Sequence, residues 1–311
     1  MLDVAKLATL RAVIHQGSFS AAGHAIGLTQ PAVSRQVSAL ERQLGTQLVR
    51  RTQQGVHPTE AGRVLAEHAE AILGRLAVAE GQVADLAGLR AGHVRLGSFF
   101  TALVYLSAEV GALLETRHPE LLRNQPDVIE DQLVDRATAF RRLAAAELDV
   151  AIVFEHSFEP DPAPEGIELL PLFDDPPCVL VPAAHPVAEM RSVTPAELAG
   201  DTWIRAHRGS AARLLDRVLD DAALHPELLL AGHGDEPVEA QAFVAAGRGV
   251  MVAHRLNVLV DTGQIAVVGL ESAPARHIQA AIMRGQRAPA ARAVIDALLE
   301  IGKRRAAAVL S

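Results

Sequence analysis

The sequence predicts an α/β chain with an all-α winged helix-turn-helix head, a long linker helix and a body of two α/β lobes. Three observations predict this. Residues 17–62 read GSFSAAGHAIGLTQPAVSRQVSALERQLGTQLVRRTQQGVHPTEAG, which divides into two helical runs joined by a tight turn, a basic hairpin and a helix start. An apolar stripe at helical spacing then runs on to about Leu89. Beyond Ala91-Gly92, short apolar runs alternate with amphipathic ones, the pattern of βαβ units. The predicted boundaries are a head over 1–58, a linker helix over 59–90 and a body over 91–306. Within the body, the first lobe takes 91–164 and 269–306, and the second takes 165–268.

In the head, Val4, Leu7, Leu10, Val13 and Ile14 predict a helix over 2–16 that Gly17 ends. Ser18 or Ser20 caps a second short helix through Ile26, and Gly27-Leu28 make the turn. Thr29 stands at the N-cap of a third helix. Pro31 lies in its first turn, where a missing N–H costs nothing. Val33, Val37, Leu40 and Leu44 form one buried stripe, and Gly45 ends the helix. Residues 46–58 read as a two-stranded wing with Gln53, Gln54 and Gly55 at its tip. Thr59 caps the linker helix and Glu60 favours its N-terminal dipole. A helix of that length spans roughly 45 Å, and its apolar stripe predicts pairing with the same helix of a second subunit.

In the body, strands are expected at 94–97, 128–134, 149–154, 167–172, 178–181, 203–206, 249–253, 265–268 and 278–284. Helices are expected at 102–116, 138–146, 194–199, 210–219, 238–246 and 289–304. The alternation predicts open parallel sheets. The proline-rich run 160–164 is the expected crossing to the second lobe, and 265–268 the expected return. A ligand is expected between the lobes, at the strand C-termini.

The net charge of −8 is unevenly spread. Residues 1–65 hold seven basic residues against Asp3, Glu41 and Glu60, a balance of +4, which leaves −12 for the remainder. A basic head on an acidic body approaches phosphates while the body stays dissolved. Only Lys6 and Lys303 are lysines, so charged phosphate contacts fall to arginine. The one cysteine, Cys178, cannot form an intramolecular disulfide and sits in an apolar run, which suits buried packing in a reducing cytoplasm. No signal peptide or membrane-spanning run is read, so neither export nor a membrane partner is expected. The thirteen histidines form no HExxH or clustered Cys/His set, and neither GxSxG nor GxGxxG occurs. No metal, no cofactor and no enzymatic constellation is therefore expected.

The run SFSAAGHAIGLTQPAVSRQVSALERQLGTQLVRR with TEAG resembles the LysR-type transcriptional regulators. Softer matches follow in HVRLGS, ELDVAIV, PLFDDPPCVLVPAAHP, ELAGDTWI and AFVAAGRGV, so the resemblance spans nearly the whole chain. It implies a dimerising linker helix, a two-lobed effector domain similar to periplasmic binding proteins, homotetramers built from homodimers, and ligand-tuned transcription with RNA polymerase as a further partner. Val49 stands where the family commonly has Phe. Gly23 replaces a usual Ala, at a helix-propensity cost of about 1 kcal/mol. About six extra residues precede Gln125. The competing readings are a transport-class or cytoplasmic solute binder, which leaves the basic head unexplained, and an α/β enzyme.

A helix that reads double-stranded DNA needs short side chains and forked donors near its N-terminus. Gln30 suits an adenine edge, Pro31 and Ala32 a thymine methyl, and Ser34 a base or phosphate. Arg35 suits a guanine edge or phosphate. Thr29 caps the helix and also touches the DNA backbone. Ser18, and Ser38 one turn beyond Ser34, complete the predicted contacts on the helices. Arg50 and Arg51 are expected near phosphate, with a Glu41 salt bridge as the alternative for Arg50. Gln54 is expected at the minor groove. For the small-molecule effector, a carboxylate or other metabolite, the strand ends nominate Ser98, Phe99, Thr101, Phe154, Glu155, Arg205, His207 and Ser210. Arg205 either pairs with a ligand carboxylate or with a neighbouring acid. Asp135–Thr138 is a further candidate wall.

Overall fold

The computed structural model describes residues 1–52, 55–86, 93–122, 128–231, 238–258, 263–286 and 288–309. The head comprises α1 (Val4–Gln16), α2 (Phe19–Ile26), α3 (Gln30–Leu44), β1 (Val49–Thr52) and β2 (Gly55–Pro58). Asp3 caps α1 by accepting from the Ala5 N–H at 2.8 Å, and Ser18 caps α2 through the Ala21 N–H. Leu10, Val13, Phe19, Ala22, Val33, Val37, Leu40 and Leu48 form the head's core. Leu44 does not join them. It is 43% exposed, in the last turn of α3 before Gly45. Thr29 holds the N-cap position without a side-chain cap hydrogen bond. Gly23 is explained by close approach: a Cβ there would stand 2.5 Å from the Leu28 carbonyl oxygen, so alanine cannot be accommodated without displacing the turn.

The wing pairs β1 and β2 antiparallel, from Val49 opposite Pro58 to Thr52 opposite Gly55. Glu41 anchors its base by accepting from the N–H groups of Leu48 and Val49 at 2.9 and 3.4 Å. The linker helix α4 (Glu60–Leu86) starts under Thr59, whose hydroxyl accepts from the Gly62 N–H at 3.1 Å. At 1.5 Å per residue α4 is about 40 Å long. Val64, Ile72, Leu76 and Val83 are exposed along it, an apolar stripe left uncovered within the single chain. The stripe beyond Leu86 and the Ala91-Gly92 boundary lie outside the described residues.

The first lobe opens with β3 (Val94–Ser98). A long helix follows, made of α5 (Phe100–Ala102), a π-helical segment (Leu103–Ser107) and α6 (Ala108–Arg117). Then come α7 (Pro119–Leu122), β4 (Ile129–Leu133), α8 (Arg136–Ala144), β5 (Val150–His156) and β6 (Ile167–Asp175). The second lobe holds β7 (Pro177–Pro182), β8 (Ser192–Val193), a 3-10 turn over Pro195–Leu198, β9 (Trp203–Arg205) and α9 (Ser210–Asp221). It continues with β10 (Leu228–Leu230), α10 (Val238–Ala245), β11 (Met251–His254), a 3-10 turn over Arg255–Asn257 and β12 (Ile265–Leu270). The chain then returns as β13 (Arg276–Met283) and closes with α11 (Pro289–Val309).

The sheet orders are β4-β3-β5-β13-β6 and β11-β7-β12-β8, with β9 and β10 a separate pair. Two expectations are corrected here. The sheets are mixed, not parallel: β13 runs antiparallel to both β5 and β6, and β7 antiparallel to β11 and β12. A crossover helix enforces parallel neighbours only where it joins them, and β13 enters from the other lobe. The lobe crossings also move. Residues 167–175 pair with β13 in the first-lobe sheet, so the chain crosses at Asp175–Pro177 and not at 160–164. Residues 265–270 pair with β7 and β8, so the return comes after Leu270. The second lobe's sheet therefore spans 177–270, not 165–268.

Each lobe has its own core. Leu96, Leu106, Leu114, Ile152, Ile278, Val294 and Leu298 bury one face of the first sheet. Trp203, fully buried, centres the second lobe and donates its indole N–H to the Leu198 carbonyl at 3.1 Å. Cys178 is fully buried in β7, and burial pushes its thiol up to about 12, so it stays a thiol at neutral pH.

Candidate functional site

Two surfaces gather the chemistry. On the head, packing of Val33, Val37 and Leu40 turns the opposite face of α3 outward. Thr29, Gln30, Pro31, Arg35 and Ser38 are exposed, and Ala32, Ser34 and Ser18 are partly exposed. Arg51 donates to the Ser34 hydroxyl at 3.2 Å and lies over the Phe19 ring at 4.5 Å, so the wing base leans on the start of α3. Arg50 is exposed beside it, while Glu41 accepts from the wing backbone and not from Arg50. Gln54 lies outside the described residues.

The second surface is a cleft of about 1240 Å³ between the lobes. Of the nominated residues, Phe99, Thr101, Phe154, Glu155 and Ser210 line it. Three do not. Ser98 is fully buried in β3, outside the lining. Arg205 is held by Asp216 through two hydrogen bonds, at 2.8 and 2.6 Å, so its guanidinium serves a neighbouring acid. That bond raises Arg205 and lowers Asp216 from their ordinary pKa values. His207 is exposed outside the lining. The wall proposed at 135–138 is present as Asp135, Arg136 and Ala137.

Two of the cleft's cations, Arg276 and Arg213, come from residues not nominated, and the third, Arg136, from the nominated wall. Arg276, the first residue of β13, is buried on the floor and bonds Asp175 at 2.8 and 2.9 Å and Thr101 at 3.4 Å. Its guanidinium lies 5.1 Å from the Phe99 ring centre and 5.0 Å from that of Phe154. Asp175 and Arg276 sit at the two chain crossings, so their ion pair staples the hinge. Burial pulls Arg276 down and pushes Asp175 up, and their mutual attraction opposes both shifts. At the rim, Arg136 bonds Glu155, Asp161, Gln279 and the Phe154 carbonyl. Arg213 of the second lobe reaches Glu159 of the first at 2.8 Å. Together with Tyr105 donating to the Val258 carbonyl at 2.5 Å, this Arg213–Glu159 contact holds the lobes together across the cleft.

Two cleft histidines are kept neutral. His156 is 5% exposed, stacks on Phe158 at 5.0 Å, and among the described residues has a hydrogen-bond partner at neither ring nitrogen. Burial first, then Arg276, pushes its pKa down to about 4. His254, 5.3 Å away, is also held well below the ordinary imidazole value, again mainly by burial. Both rings bind a proton in the unfolded chain below about pH 6.5 but not in the fold until much lower. Stability present above that pH is therefore lost as pH falls from about 6.5 toward 4. Urea unfolding at pH 7 and 5.5 should differ by about 2 kcal/mol, and His156→Phe should shrink the difference by about half. Coincident curves for the unsubstituted protein contradict the assignment.

Sequence and structure comparisons agree with this anatomy. Residues 4–63 match the model of the bacterial regulatory helix-turn-helix proteins of the lysR family, and residues 87–303 match the LysR substrate binding domain. The HTH-type transcriptional regulator CbbR of Sinorhizobium medicae (strain WSM419) is 28% identical, over 97% of this chain and 94% of its own length. The regulator of the same name from Xanthobacter flavus is 30% identical, over 91% of this chain and 83% of its own. A full-length OxyR variant from Pseudomonas aeruginosa shares the fold with a TM-score of 0.66 at 21% identity, covering 97% of this chain and 95% of that one. Full-length CbnR complexed with target DNA shares it with a TM-score of 0.52 at 19% identity, covering 97% and 100%. The chain belongs to the LysR family: it is a ligand-responsive transcriptional regulator with a helix-turn-helix head and a substrate-binding domain, and not an enzyme.

Proposed function

We propose that the protein reads an inverted repeat in promoter DNA through the exposed start of α3, with a small-molecule effector bound in the interlobe cleft. The observation that carries this reading is the outward face of Gln30, Pro31, Ala32, Ser34, Arg35 and Ser38, flanked by Arg50 and Arg51. Gln30 and Arg35 take base edges; Thr29, Ser18, Arg50 and Arg51 take the backbone, with Gln54 at the minor groove. The uncovered apolar stripe of α4 supports a homodimer through that helix, and dimers pair into homotetramers that work with RNA polymerase in the cytoplasm. Two-fold symmetry of the dimer then demands two-fold symmetry in the site.

Within the cleft, the effector contacts Phe99, Thr101, Phe154, Glu155 and Ser210, and reaches the polar floor at Arg276 and His156. Arg136, Arg213 and Arg276 are each matched by carboxylates, so the lining favours a ligand carrying both polar and apolar faces over a bare anion.

Fluorescence anisotropy against a duplex spanning the region upstream of the gene tests the reading. With Arg50 and Arg51 of two heads on phosphate, log affinity should fall against log salt with a slope of about −4 or steeper. Undetectable or salt-independent binding contradicts it.

A further inference from the structure

Two elements of the first lobe have one end in the cleft and the other on the linker helix. Helix α8 supplies Arg136 and Ala137 to the cleft at its start, with the Asp135 side chain capping it through the Thr138 N–H at 2.7 Å. Its last turn abuts α4. A Cβ at Gly74 would stand 1.2 Å from the Ala144 carbonyl oxygen, so the two backbones are in direct contact and only glycine permits it. Strand β13 supplies Arg276 to the cleft floor at its start. The turn at its other end is held by α4: the Arg75 guanidinium donates to the Arg284 carbonyl.

Neither element is loose between its ends. Ala139, Phe140 and Leu143 bury α8 in a cluster with Ala151 and Val153 of β5 and Ala281 of β13. Arg136 ties the start of α8 to both strands through the Phe154 carbonyl at 3.3 Å and Gln279 at 3.2 Å. A helix of this length is about 13 Å long and packed at interior density, so displacement at one end appears at the other. The far side of α4 is fixed to the head, where the Thr59 N–H donates to the Leu48 carbonyl at 2.9 Å and α1 packs on the helix.

We infer that α8 and β13 form a strut that transmits rearrangement of the effector cleft to the linker helix of the same subunit, through the Gly74–Ala144 contact and the Arg75–Arg284 hydrogen bond. The inference rests on the reading of the cleft as the effector site. An effector that takes over Glu155, Asp161 or Gln279 from Arg136 frees the start of α8 and shifts its other end against Gly74. That shift re-aims α4, and with it the DNA-reading head. Because coupling between binding sites is reciprocal, DNA on the head must act back on the cleft.

The reciprocal direction makes the test independent of the effector's identity. Amide hydrogen exchange is followed by mass spectrometry in the full-length protein, free and with the upstream duplex. Arg75→Ala should raise exchange over 136–140 by about threefold or more, even though these residues lie at the far end of the strut. Duplex binding should slow exchange over the same segment in the unsubstituted protein. Gly74→Val should abolish that response, because the added side chain breaks the Gly74–Ala144 contact that carries it. Should Gly74→Val fold poorly, Arg75→Ala carries both readouts. Exchange changes confined to 141–148 and 283–288 overturn the strut, as does a bound duplex that leaves 136–140 unaltered. A protein that binds no duplex overturns the DNA reading itself, which separates the two failures.

Discussion

Asp175→Ala is expected to destabilise the two-lobed domain by about 3–5 kcal/mol. Asp175 and Arg276 are each only a few per cent exposed, at 2.8 Å. Removing the acid leaves a nearly buried cation beside the Phe99 and Phe154 rings without its carboxylate. It also strips the Leu256 N–H of its acceptor at 3.0 Å. Arginine cannot escape by losing its proton at neutral pH, even with burial lowering its pKa. Asp175→Asn keeps an acceptor and the shape, so its cost should be smaller. Urea midpoints at pH 7 check both, and a loss under about 1 kcal/mol for Asp175→Ala contradicts the hinge-staple role.

The second large effect is on DNA. Gln30→Ala combined with Arg35→Ala should weaken binding to the specific duplex by about 30-fold or more, at about 1–3 kcal/mol for each base contact. Both side chains are exposed, so the fold should be unaffected. Affinity for a scrambled duplex should fall much less, so the ratio between the two collapses. Arg50→Ala should behave oppositely, weakening both duplexes alike and flattening the salt slope by about 1 per head. Anisotropy titrations on both duplexes measure this. An equal loss on both for the α3 double variant would move that face from base reading to phosphate contact.

The head was legible because its information is local. Caps, helix-ending glycines and the Val33, Val37, Leu40 stripe all act within a few residues of one another. Leu44 misled because periodicity reports a face, while burial also needs a neighbour long enough to cover it. The body was legible as alternating strands and helices but not as pairings. Strand direction depends on where the chain comes from, and β13 comes from the other lobe. The same limit applies to the cleft. Phe99, Thr101, Phe154, Glu155 and Ser210 follow strand ends and could be found by that rule. Arg276 could not, because its partner Asp175 is 101 positions away and nothing near either residue announces the other. Arg205, nominated for the same chemistry, had Asp216 within one helix of itself. His156 was passed over as one histidine of thirteen, and its burial without a hydrogen-bond partner among the described residues singles it out.

Hydroxyl-radical footprinting of the upstream duplex reaches the central claim most directly. Two protected half-sites related by two-fold symmetry, separated by about one helical turn or a whole multiple of it, are predicted, with protection lost from both in the Gln30→Ala/Arg35→Ala variant. A single unpaired patch, or a footprint unchanged in that variant, would contradict base reading by a symmetric pair of α3 helices.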